Sequence, residues 1–164
     1  ILLSTPNSGA FGVSGPISLT TGTTANGNSG AFTIGTGNAR SGRGGNFQVR
    51  VGSGNSGNGG DALISAGEAS ARAVAGGNVV ITAGEGSNAL MTPSGGRGGK
   101  VQIFGGGAQG GNPSNDNGGN IEMAAGFART GYGGSVILQT GYGLVSSSGS
   151  FDLATANAGR KGVS

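Results

Sequence analysis

Apolar side chains in this chain come in pairs separated by a single residue, and glycine fences each pair. GGNVVITAGEG at 76–86, GGNIEMAAGFA at 118–128 and GGNFQVRVGSG at 44–54 share one grammar. Anchored on the second residue of each Gly-Gly or Ser-Gly pair, the phrases start at Gly15, Gly30, Gly45, Gly60, Gly77, Gly99, Gly119, Gly134 and Gly149, with spacings of 15, 15, 15, 17, 22, 20, 15 and 15. Two residues after each anchor stands Ile17, Phe32, Phe47, Ala62, Val79, Val101, Ile121, Val136 or Phe151. Four residues after stands Leu19, Ile34, Val49, Ile64, Ile81, Ile103, Met123, Leu138 or Leu153. The column between them is mixed, running from Ser18 and Gln48 to Glu122 and Ile137.

Apolar–variable–apolar is the period-2 mark of a strand with one buried face. The pattern predicts a strand of about five residues in each repeat, ending at a glycine seven after the anchor: Gly22, Gly37, Gly52, Gly67, Gly84, Gly106, Gly126 and Gly141. ILLST at the start matches VILQT at 136–140 and reads as the strand of a truncated tenth repeat. Glycine is too frequent for helix interiors. One strand and a return path in 15 residues predict an all-β fold, a glycine-rich parallel β-solenoid of about nine to ten short coils, forming a single repeat domain over 1–164. Phe32, Phe47, Ile64, Val79, Ile81, Val101, Ile103, Ile121, Met123, Val136, Leu138, Phe151 and Leu153 are its expected core ladders. Phe32 over Phe47 and Phe127 over Tyr142 are expected as stacked aromatic pairs, and the glycine pairs as corners with positive φ. A bundle of polyproline-II strands is the alternative, although it wants glycine every third residue.

Composition sharpens this picture. Glycine fills 41 of 164 positions, several times ordinary usage, and charged residues only 9%. The net charge of +3 rests on nine scattered bases and six acids, which is no nucleic-acid stripe. No apolar run approaches the length of a membrane span. The chain opens on Ile1-Leu2-Leu3 without an initiator Met and reads as a mature or excised part of something longer.

Candidate chemistry is sparse. The chain has no Cys or His, so it offers no thiol nucleophile, imidazole base or zinc cluster. Its six carboxylates form no convincing acid/base pair, and the Gly-Xaa-Gly strings lack the βαβ context of a phosphate loop. The reading is therefore no enzyme, no cofactor and no metal. Glu68 and Glu85 share a repeat position and would form a like-charged pair if stacked; Asn115-Asp116-Asn117 lacks the acidic spacing of a calcium loop. Two insertions, SNALMTPSGGRG at 87–98 and AQGGNPSNDN at 108–117, lengthen consecutive return paths, with Leu90, Met91, Asn115 and Asp116 as candidates for a lateral contact. A self-packed surface loop is the alternative for both. Abundant Ser and Thr could carry O-glycans.

The phrase GG-N-Φ-x-Φ-x-A/T-G, at 76–84, 118–126 and 133–141, resembles glycine-rich repeats of algal surface proteins, including those of flagellar hairs (mastigonemes). It is also similar to repeats in phage tail fibres. The resemblance implies an extended extracellular element and transfers no functional residue. The expected function is a structural rod or assembly module of an extracellular filament, flagellar hair or surface fibre, with copies of itself or other filament subunits as partners. An ice-binding or glycan-binding solenoid is the alternative. Ice binding would need a regular outward Thr lattice, but the column five after the anchor, with Thr20 and Thr82, also holds Arg50, Phe104 and Gln139, and the next, with Thr21, Thr36, Thr140 and Thr155, is broken by Val51 and Gly105. Tyr132 and Tyr142 are the aromatics that could stack on sugar rings.

Overall fold

In a parallel solenoid each anchor would pair with the anchor one coil away. In the computed structural model, which describes residues 1–89, 95–112 and 114–157, it does not. The amide of Gly77 donates to the carbonyl of Gly67, Gly99 to Gly84, Gly119 to Gly106, Gly134 to Gly126 and Gly149 to Gly141, at 2.8–2.9 Å. Every acceptor is the glycine that closes the preceding phrase. The return path therefore comes back to its own starting point as a closed loop, instead of carrying the chain onto a new coil.

The β-solenoid expectation is overturned by this connectivity. Among the described residues there is no helix and no strand. Among the described residues, backbone groups one to six residues after each anchor find no backbone partner, so no ladder forms. No described side chain is buried, and the thirteen expected core-ladder residues all lie between 50% and 89% exposed. The absence of helix and strand among the described residues is compatible with the polyproline-II-like alternative. Phe127 and Tyr142, at 93% and 84%, cover no neighbouring rung, and Phe32 and Phe47 are likewise exposed.

The chain exposes 16881 Å². A folded monomer of 15.4 kDa would expose about 7,200 Å², and the same chain fully unfolded about 22,000 Å². Hydrophobic burial within one copy is therefore slight, and local loop closure supplies most of the order.

Two units divide the chain, Ile1–Val79 and Val80–Ser164. Within each, the loops turn at a fixed place. Bends recur at 25–27, 40–42, 55–57, 129–131 and 144–146, ten to twelve residues after an anchor. Here, and not at the glycine pairs, the backbone takes positive φ: 121° at Gly27 and 73° at Gly57. Ala73, in the turn made by the two-residue insertion of its repeat, has φ 58°. The expected corner role of the anchor pairs is thereby corrected. Side chains help close two apices, Ser8 Oγ donating to the Gly12 carbonyl at 2.9 Å and Thr24 Oγ1 to the Gly27 carbonyl at 2.8 Å.

Candidate functional site

The closures share a second contact. A Cβ on Gly30 would lie 3.6 Å from Thr21 Cβ, on Gly45 3.7 Å from Thr36 Cγ2, and on Gly149 3.7 Å from Thr140 Cβ. Gly15 has Thr5 in the same place, Gly60 has Val51, and Gly77, Gly99 and Gly134 have Ala66, Ala83 and Ala125. At Gly119 the neighbour is backbone alone, because Gly105 occupies that position and itself abuts the Gly119 carbonyl. In seven of the nine repeats the anchor thus rests on the residue just before the closing glycine, while Gly119 rests on the closing Gly106 itself and Gly15 on Thr5, ahead of Pro6. Thr5, Ala83 and Thr140 are accordingly among the few described residues that are partly covered. At Gly60, Gly77, Gly119 and Gly134 an added Cβ would come within 3.0–3.3 Å of its neighbour, tighter than ordinary packing, whereas at Gly15, Gly30, Gly45 and Gly149 it would meet one at an ordinary 3.5–3.7 Å.

Closing glycines behave differently. A Cβ on Gly22, Gly37, Gly52, Gly67, Gly84, Gly106, Gly126 or Gly141 would meet nothing within 4 Å, and none of the eight has a positive φ. Nothing within the described chain requires glycine there.

Alternation survives the loss of the sheet. Two residues after the anchor, Val79, Val101, Ile121 and Val136 are 50–54% exposed; three residues after, Leu63, Val80 and Ile137 are 79–87% exposed. Four residues after, Ile103, Met123 and Leu138 are 63–67% exposed. In the phrases anchored at Gly99, Gly119 and Gly134 the apolar columns are thus partly sheltered, whereas Val49, Ile64 and Leu153, four residues after their anchors, are 74–89% exposed.

The two long loops organise themselves. Gly96 donates to the Asn88 carbonyl at 3.2 Å, and Gly86 lies directly on the Arg97 backbone. A Cβ on Gly96 would sit 2.5 Å from the Gly86 carbonyl carbon. In the next loop Asn112 Oδ1 accepts from the Ser114 amide at 3.0 Å, an Asx turn. Asp116 Oδ2 accepts from the Asn112 amide at 2.6 Å, while the Asp116 amide donates back to the Asn112 carbonyl at 2.9 Å. Gly110 lies against the Asp116 carboxylate. Of the lateral-contact candidates, Asp116 and Asn115 are thus engaged within their own loop; Leu90 and Met91 lie outside the described residues.

Among the described residues no cavity forms and no group of three acidic, His or Cys side chains gathers. No helix there is long and apolar enough to cross a membrane. The significance of the anchor–closing-glycine pairs was missed by sequence reasoning, although both members were marked by their recurrence. Compared with known protein families, characterised proteins and solved structures, the chain matches none.

Proposed function

We propose that this chain is a structural, self-associating module of an extracellular filament, flagellar hair or surface fibre, with further copies of itself or other filament subunits as its partners. One observation carries the reading: the phrases leave their apolar columns exposed, while five of the loops, those ending at Gly77, Gly99, Gly119, Gly134 and Gly149, are closed by the same backbone hydrogen bond. A chain that orders its backbone by local closures but buries almost none of its apolar surface has its main stabilisation still to gain. Association supplies it, and a repeated surface propagates contacts along a chain. The low charge, 15 ionisable Lys, Arg, Asp and Glu side chains in 164 residues, puts little repulsion in the way.

Sedimentation over a range of concentrations, followed by electron microscopy of the concentrated chain, tests the proposal. Regular assemblies would support it. A species of 15.4 kDa persisting to high concentration, with no filaments, would overturn it.

A further inference from the structure

Resting on that self-association reading, we infer that the apolar columns two and four residues after each anchor form the interface, and that a second copy of this chain covers them. In the second unit these columns include Val101, Ile121 and Val136, and Ile103, Met123 and Leu138. These six are 50–67% exposed within one copy, Ile81, Phe151 and Leu153 in the same columns 61–89%, and Ile137, between Val136 and Leu138, 81%.

Surface area argues for the size of the contact. The chain exposes 16881 Å², more than a folded monomer of its mass by roughly 9,700 Å². A standard interface removes only about 800 Å² per partner. The missing burial is many times larger, so the contact runs along the repeats and is not confined to a local patch. The backbone points the same way. From one to six residues after the anchors, amides and carbonyls have no backbone partner among the described residues, a template for pairing with another extended segment.

Repetition identifies the occupant. A partner must offer an apolar–variable–apolar alternation at every phrase, and this chain offers that itself. Positions two and four are symmetric about position three, so the columns match whichever way the second copy runs. The closing glycines Gly106, Gly126 and Gly141 fit this geometry. They recur without any need inside one copy, and a second backbone approaching there would supply one.

Because the chain has no cysteine, single Cys variants report on the face cleanly. Val136→Cys and Ile137→Cys would be labelled with a maleimide, dilute and under conditions where sedimentation shows assemblies, with Ile121→Cys and Glu122→Cys as a second pair. The expected result is at least a tenfold slowing of labelling on assembly for Val136→Cys and Ile121→Cys, and less than twofold for their neighbours. Loss of assembly in Val136→Cys or Ile121→Cys but not in the neighbouring variants would equally support the face. Equal labelling of both members of each pair within assemblies would overturn this interface while leaving self-association intact. Failure of the unsubstituted chain to assemble would overturn both.

Discussion

The Gly99 amide reaches the Gly84 carbonyl at 2.9 Å across fifteen residues, the same bond length that joins Gly134 to Gly126 across eight. Loop length and closure geometry are therefore uncoupled: the insertion at 87–98 leaves the bond that closes its repeat unaltered.

Removing residues 88–94 should leave that bond in place. Shortening a flexible loop from fifteen residues to eight lowers its closure cost by about 0.6 kcal/mol. Amide exchange at Gly99 should slow by about 2.5-fold as a result. Faster exchange would mean that the insertion itself holds the closure, through the contacts of Gly86 with Gly96 and Arg97.

Alanine at the anchors should have graded effects. Gly149→Ala meets Thr140 Cβ at 3.7 Å and should be tolerated. Gly60→Ala would lie 3.0 Å from Val51 Cγ1, which a rotamer change can relieve. Gly119→Ala meets the Gly106 backbone amide at 3.2 Å and has no side chain to displace. Exchange at the substituted and neighbouring amides should accelerate in that order, and an effect independent of position would reject close approach as the reason for glycine.

Ala73 offers a test of strain. Its φ of 58° costs an L-residue about 1 kcal/mol or more. Ala73→Gly should relieve most of this and slow amide exchange across 71–76. Ala73→Val should do the opposite, because a β-branched side chain tolerates that region least.

The 112–116 turn can be dissected bond by bond. Asp116→Ala removes the acceptor of the Asn112 amide but leaves the Asn112 Oδ1 bond to Ser114. Exchange at Asn112 should rise several-fold with a smaller change at Ser114. Comparable acceleration at both would show the turn to be a single cooperative unit.

Association through apolar columns should strengthen in sulfate, which favours burial of apolar surface, and respond weakly to moderate sodium chloride. Sedimentation in the two salts at equal ionic strength checks this. Dissociation by sodium chloride would point to an ionic interface instead.

Periodicity made the important positions legible, but not their neighbours. It marked Gly119 and Gly106 as recurrent and placed Ile121 and Met123 on one side of Glu122. A repeat states which positions are equivalent; it does not state which are adjacent. Pairing equivalent anchors gave the solenoid, whereas the chain joins each anchor to the end of the phrase before it. Positive φ was likewise expected at the glycine pairs, where a close neighbour explains glycine instead. At Asn112 and Asp116 the turn rests on side-chain hydrogen bonds within a single insertion, which no recurrence along the chain marks.

Each closure works like the neck of a drawstring bag: what hangs below it can grow while the neck stays the same width. The segment between Gly141 and Gly149 is such a bag, with its bend at 144–146 exposed. Foreign peptides spliced at that bend would be displayed at intervals set by the phrases, so the chain has the makings of a carrier whose cargo can vary independently of its frame.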